Sequence, residues 1–378
     1  MTDNNTRTED LRKLLNSPDG LPAAEELQKD IKSLYDKPEE LINDLIILAK
    51  TDTPLSTIQD VLNLCGLARD AGEYEILSAV PGHPLQTLKA ENEALEKMID
   101  EALTSHEAKE KLKDQIWQVS VHDMKKGDLL YPTLKVRYGL SAPHDYLWDP
   151  DVTWRTRYSG LMRQENQNEN WDKSVDKSLE TMKDTLWIES NLLYPLAAMK
   201  FDKKIWEEVY QNAKDYPDCL GIKPEVWPEG ESFRKPPLPD PDQAITLGGG
   251  VLTVRELNAI LNHLPVEITF VDADNQNVYF NEGHKAFKRP TLSLGHEVFD
   301  CHPKKVGDMV KGIIEDFRTG KKDKVEIWMN KQGEPYHVTY LALKDTDGTY
   351  LGTLEIVMPM EFARKHFEQA EEVKAKSW

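Results

Sequence analysis

The sequence predicts an all-α N-terminal part followed by an α+β domain built on a five-stranded antiparallel sheet. Three observations carry this expectation. Apolar residues recur at helical spacing from Leu21 to about Cys219, the period shortens to two after Val266, and proline and glycine concentrate between the two textures. With 378 residues, of which 39% are hydrophobic and 30% charged, the chain is long enough for two or three packed domains.

The helical part begins with short elements. Leu41, Ile42, Leu45, Ile46 and Leu48 form one apolar stripe, and Pro54, Ser56 and Thr57 open a second run, Ile58 to Leu67. Pro84 starts a longer, strongly charged helix in which Leu85, Leu88, Leu95, Met98 and Ile99 keep helical spacing. From Gln115 to about Cys219 a near repeat follows. Asp128-Leu-Leu-Tyr-Pro132 returns as Asn191-Leu-Leu-Tyr-Pro195, with Trp117 or Trp187 upstream, which predicts two similar helices at one level of an up-and-down bundle. Trp148, Trp154, Trp171 and Trp206 offer large surfaces for its core.

Residues 222–250 hold Pro224, Pro228, Pro236, Pro237, Pro239 and Pro241 and end in Gly248, Gly249 and Gly250, the composition of an extended linker. A helix is expected over 253–262, with Thr253 and Glu256 spaced as a capping box. Val266, Ile268 and Phe270 then alternate with Glu267, Thr269 and Val271, and the turn Asp272 to Asn275 leads to Val278-Tyr-Phe280. A helix from Pro303 to Phe317 and strands 324–329, 336–343 and 350–358 complete the domain, and residues 361–378 read as an amphipathic helix.

Composition excludes several function classes. With 66 acidic against 47 basic residues the net charge is -19, so a phosphate backbone would be repelled and no nucleic-acid partner is expected. The N-terminus lacks the apolar core of a leader, and no run approaches the roughly 18 apolar residues of a membrane span, which predicts a cytoplasmic chain with no membrane partner. Cys65, Cys219 and Cys301 form no CxxC pair, which removes zinc ribbons, thioredoxin motifs and disulfide frameworks. No phosphate-binding loop, nucleophile elbow or HExxH motif is present.

Leu264-Pro-Val-Glu-Ile-Thr-Phe-Val-Asp272, Tyr279-Phe-Asn-Glu-Gly283, Asp300-Cys-His-Pro303 and Gly348-Thr-Tyr-Leu-Gly-Thr-Leu-Glu355 resemble a PAS subfamily whose pattern reads LPVDITFVD, YFSEG, NCHP and GEYLGTLE. The order of the whole chain resembles a bacterial family that joins a helical domain of unknown function, a hemerythrin-like bundle and this PAS domain. Pro81-Gly-His-Pro-Leu-Gln-Thr-Leu-Lys-Ala-Glu-Asn92 is similar to its PGHPxHTxKxEN signature, and both Leu-Leu-Tyr-Pro copies are similar to its LFP signatures. The resemblance implies boundaries at 1–79 for the small helical domain, 80–221 for the bundle, 222–250 for the linker, 251–360 for the PAS domain and 361–378 for the C-terminal helix.

A hemerythrin-type di-iron centre needs about five imidazoles and about two bridging carboxylates. Before residue 222 the histidines are His83, His106, His122 and His144; Gln86 stands at the signature's second histidine, and Gly127 where a carboxylate would follow His122. The resemblance therefore implies a degenerate bundle, with His83, His122, Asp151 and Glu189 as the set for a residual iron. A PAS core implies a cavity lined here by Phe270, Tyr279, Phe280, Phe287, Phe299, Val310 and Ile314, with His302 either a ligand or haem contact or a turn-capping residue.

The expected function is a non-enzymatic, cytosolic sensory protein that binds a small ligand or a protein partner through its PAS domain, with no fused output module. Homodimerisation through the PAS domain or the C-terminal helix is the expected self-association. Two rival readings stand beside it: a non-haem iron bundle that senses or handles oxygen, nitric oxide or peroxide, and a non-catalytic scaffold.

Overall fold

Pro38 and Pro84 each open a helix, since the amide they lack would have no intrahelical partner in the first turn. The computed structural model describes residues 2–18, 20–68, 72–112, 115, 117–164, 168–233, 238–283, 285–331 and 333–376. Two compact units result, Met1–Phe233 and Arg234–Trp378.

The first unit is helical. Its early elements are α1 (Thr2–Leu15), α2 (Ala24–Leu34), α3 (Pro38–Thr51), α4 (Leu55–Cys65) and α5 (Glu73–Ser78). The stripe Leu41, Ile42, Leu45, Ile46 and Leu48 of α3 is buried. Asp44 on the same helix is buried too, and accepts hydrogen bonds from Tyr35 Oη at 2.7 Å and Thr8 Oγ1 at 3.0 Å, which ties α1 to α3. The later elements are α6 (Pro84–Ala102), α7 (His106–Leu112), α8 (Trp117–Leu129), α9 (Tyr131–Tyr138), α10 (Asp149–Met162), α11 (Glu169–Ile188), α12 (Tyr194–Lys200), α13 (Lys203–Ala213) and α14 (Pro228–Ser232). Two π-helical turns interrupt them, His144–Trp148 before α10 and Glu189–Leu193 before α12.

Each Leu-Leu-Tyr-Pro copy starts a short helix, α9 or α12, with Tyr131, Pro132, Tyr194 and Pro195 all buried. Trp148, Trp154, Trp171 and Trp206 are buried, whereas Trp117 is half exposed. Helices α3 and α5 lie against α12, so the segments 1–79 and 80–221 share one compact unit.

The stretch 222–250 is not one extended linker. Trp227 is buried against His83 and Tyr210, with ring centroids 4.9 and 5.7 Å away, and α14 follows it within the helical unit. The approach needs a glycine. Gly82 has φ +77°, and a Cβ there would lie 2.5 Å from the backbone of Val226 and Trp227. Beyond residues 234–237, which lie outside the described residues, Ala244–Leu247 (β1) and Gly250–Thr253 (β2) pair as an antiparallel hairpin.

The second unit continues with α15 (Val254–His263), whose N-terminus carries the expected capping box of Thr253 and Glu256. Strands β3 (Glu267–Asp272), β4 (Asn277–Phe280), β5 (Lys324–Lys331), β6 (Glu334–Lys344) and β7 (Tyr350–Pro359) form an antiparallel sheet in the order β4-β3-β7-β6-β5. Helix α16 (Lys304–Arg318) packs against β6 and β7, and α17 (Glu361–Lys376) follows β7. Asn281 joins α15 to β3: its Nδ2 donates to the Leu261 and Val266 carbonyls at 3.0 and 2.9 Å, and its Oδ1 accepts from the Ile268 amide at 2.8 Å. Among the described residues no helix is long and apolar enough to cross a membrane.

Candidate functional site

Register fixes which strand residues share a face, because side chains alternate and directly opposed residues point the same way. Glu267, Thr269 and Val271 of β3 oppose Val357, Glu355 and Thr353 of β7, which in turn oppose Val338, Tyr340 and Ala342 of β6. This is the inner face. Val271 packs there with Val298, Val310 and Ile314 and the flanking Phe299. A second cluster holds Tyr336, Val338 and Val357, with Phe287, Ile327 and Met329 beside them.

Between the two apolar clusters runs a polar row, Thr269, Glu355 and Tyr340. The guanidinium of Arg289 donates to Glu355 Oε2, and Glu355 also accepts from the Tyr340 hydroxyl, whose pKa is raised first by burial and then by that carboxylate. Glu267, at the row's edge, accepts from the amides of Ala286 and Phe287, the latter at 3.3 Å. Burial is the main cause that pushes its carboxyl above the ordinary range. Two atoms are unspent: Thr269 Oγ1 and Arg289 Nε are buried and have no hydrogen-bond partner among the described residues. An unpaired buried polar atom costs about 1–3 kcal/mol, so the row is expensive unless something joins it.

The lining expected from the sequence divides accordingly. Phe299, Val310, Ile314 and Phe287 belong to the inner clusters, and Phe280, opposite Thr269, faces the same way under the Lys285 ammonium at 4.0 Å. Phe270 and Tyr279 do not: they oppose each other on the other face of the sheet. The bulkier alternate set, Ile268 and Phe270, thus lies opposite the buried set of Glu267, Thr269 and Val271. His302 donates from Nδ1 to the Val298 carbonyl at 2.7 Å and so closes the turn before α16. Sequence reading missed Thr269, Tyr340 and Glu355, because a polar residue on a strand reads as a solvent-facing one, and Arg289, because it lies in the irregular stretch after β4 with no pattern to single it out.

The helical unit holds a second concentration of chemistry. His122 of α8 is fully buried, with Nδ1–H donating to Glu91 Oε2 at 2.8 Å and Nε2–H to Glu189 Oε2 at 3.1 Å. Lys125 binds Glu91 and Lys126 binds Glu189, and Lys126 also reaches Asp123 at 3.1 Å. Tyr194 Oη stands 3.1 Å from Asn92 Oδ1 and 3.3 Å from Glu189 Oε2. Burial alone would lower the His122 pKa, but hydrogen bonds to Glu189 and Glu91 outweigh it and raise it to about 9. Burial would likewise raise Glu189, yet the Lys126 charge and the His122 hydrogen bond hold it down at about 2. Among the described residues that these contacts join, the carboxylates of Glu91, Glu189 and Asp123 face Lys125, Lys126 and protonated His122.

Of the residual iron set, His122 and Glu189 come together, and Glu91 of the quoted signature joins them. His83 is elsewhere, its ring 4.8 Å from Trp206 and 4.9 Å from Trp227, its Nδ1 accepting from the Leu85 amide at 3.2 Å, its pKa lowered by burial to about 4. The side chain of Asp151 lies outside the described residues. Gly127 faces Trp148, whose Nε1 would be 3.0 Å from a Cβ there, so the indole occupies the space a carboxylate would need. These residues do not fit an iron centre. Both ring nitrogens of His122 are engaged by Glu91 and Glu189, and the ammoniums of Lys125 and Lys126 stand on those same two carboxylates where a metal would have to sit. Among the described residues no group of three or more His, Cys, Asp or Glu side chains is arranged to hold a metal.

A PAS-domain family model matches residues 257–361. A C-terminal domain from Streptococcus mutans is 39% identical, covering 33% of this chain and 98% of its own, with a TM-score of 0.32. A sensory box sensor histidine kinase from Vibrio cholerae is 16% identical over 27% of this chain and 88% of its own, with a TM-score of 0.22. The PAS domain of a protein from Colwellia psychrerythraea is 12% identical over 29% and 97%, also with a TM-score of 0.22. No curated protein matches the chain. With the strand order and the family match in agreement, residues 257–361 belong to the PAS domain family.

Proposed function

We propose that this chain is a non-catalytic sensory protein whose PAS domain takes a small polar ligand on the inner face of its sheet. The supporting observation is the interruption of the apolar interior by Thr269, Glu355, Tyr340 and Arg289, with a hydroxyl and a guanidinium N–H that have no partner among the described residues. A ligand carrying a carboxylate or amide oxygen would accept from both, and the Glu355 carboxylate would hold the guanidinium in place. The site offers recognition groups without a nucleophile paired to a general base, which suits binding and not turnover. The signal would leave through altered protein contacts.

Titration calorimetry of the full chain against small mono- and dicarboxylic acids and their amides tests this. Saturable binding that Arg289→Met abolishes and Thr269→Val weakens supports the reading. No binding across the panel, with unaltered melting of both variants in its presence, leaves the scaffold reading in its place.

A further inference from the structure

The helical unit contains a cavity of about 330 Å³, separate from the PAS sheet. Its walls come from α6, α8 and α13 and are mainly apolar: Leu88, Leu129, Leu130, Val209 and Ala213. Pro224, Glu225 and Val226 close one side. That strap is seated on purpose-fitted backbone, since Gly82 admits Val226 and Trp227, and Gln86 accepts from the Gly82 amide at 2.7 Å while its Nε2 donates to Glu225 at 3.2 Å. Gln86, at the signature's second histidine position, is thus a clip for the strap.

One buried cation lines this apolar space. The Lys125 side chain is 5% exposed, and among the described residues its hydrogen-bond partner is Glu91. An ammonium has three N–H donors, so two are left without a protein acceptor among the described residues. An oxygen acceptor entering the cavity would satisfy them. Charge decides which kind. Lys125 already stands against the Glu91 carboxylate, so a second carboxylate placed there would bury its own negative charge beside Glu91 with no further described cation in contact with it. The cavity lining repeats the bias: Lys214, paired to Glu231 at 2.7 Å, is one cation among the carboxylates of Glu231, Glu225 and Asp218.

We propose that this cavity binds a neutral amphipathic molecule, an aliphatic body with a ketone, ester or hydroxyl oxygen directed at Lys125. The site is independent of the PAS reading and would stand if that reading failed. The volume lies in the range of small-molecule sites, and Lys125 supplies a buried polar anchor beside the apolar wall residues that would orient such a ligand.

The full chain is titrated with 2-octanone, octanoate and octylammonium, followed by calorimetry and by tryptophan fluorescence, since Trp227 packs on the wall residue Tyr210. The ketone is expected to saturate at one site, with both ions at least about tenfold weaker. Ala213→Phe, at a half-buried wall position, is expected to fill the cavity and weaken the ketone at least about tenfold, and Lys125→Met to abolish its advantage over the ions. Absence of saturable ketone binding overturns the proposal. So does binding that Ala213→Phe leaves unchanged, which would place the ketone elsewhere, or an ion that binds as tightly as the ketone.

Discussion

Lys126 is 1% exposed, and its ammonium is held by Glu189 and Asp123. Removing one member of a buried ion pair strands the charge of the other, which costs about 3–5 kcal/mol, far more than the pair itself contributes. Lys126→Met is therefore expected to destabilise the helical unit by that amount in urea denaturation, and a loss below about 1 kcal/mol would show that Glu189 finds another partner. The sequence gives little warning of such lysines. Lys is rarely buried, and α8 is buried nearly all round, so His122, Asp123, Lys125 and Lys126 show no polar face set against an apolar one. His122 and Glu189 were legible only through the resemblance, and their partner Glu91 stood inside the quoted signature without chemistry to single it out.

At the scale of the element, the sheet carries the balance between stability and recognition. Thr269→Val keeps the shape of the side chain and deletes a buried hydroxyl that has no partner among the described residues. It is expected to stabilise the PAS unit by about 1 kcal/mol, read as a higher melting temperature, while weakening any ligand on the inner face. A lowered melting temperature would mean that the hydroxyl is satisfied in solution. Period-two alternation located the strands, and the capping box located the start of α15. The face was harder, because hydrophobicity normally marks the inside, and in β3 the bulky Ile268 and Phe270 lie opposite the buried Glu267, Thr269 and Val271. The β1 and β2 hairpin was not legible at all: each strand has four residues, its positions are largely exposed, and it sits among prolines and glycines.

Across the whole molecule, the buried ion-pair network around His122 and Glu189 belongs to the helical unit. His122 is raised from 6.5 to about 9, so its stabilising share is complete below pH about 6.5 and is lost as pH rises through about 9. Glu189 is lowered from 4.5 to about 2, so its share is complete above pH about 4.5 and is lost as pH falls towards 2. Buried His83, lowered from 6.5 to about 4, adds a share that is complete above pH about 6.5 and is lost as pH falls towards 4, so scanning calorimetry of the full chain is expected to show two transitions, of which the helical one is most stable near pH about 6.5 and declines on the alkaline side. An alkaline decline shared equally by both transitions, or seen in the PAS one alone, would contradict this assignment.

The π turn Glu189–Leu193 absorbs one extra residue of chain between two halves of the buried network. Glu189 and Tyr194 are five residues apart, yet their oxygens lie 3.3 Å from each other. In a regular α-helix that spacing places two side chains far apart around the axis, because each residue advances the helix by about 100°. The widened turn behaves as one inserted residue that brings the pair into line. Deleting Ser190 would let an ordinary helix run through, with Tyr194 then four residues after Glu189, about 40° round the axis and still on its face. Circular dichroism of that deletion is expected to keep both its helical signal and its pH-dependent transition, and loss of the transition would contradict this reading of the turn. The turn thus holds one residue of slack, and it is an added residue, not a lost one, that would turn Tyr194 away from the carboxylate.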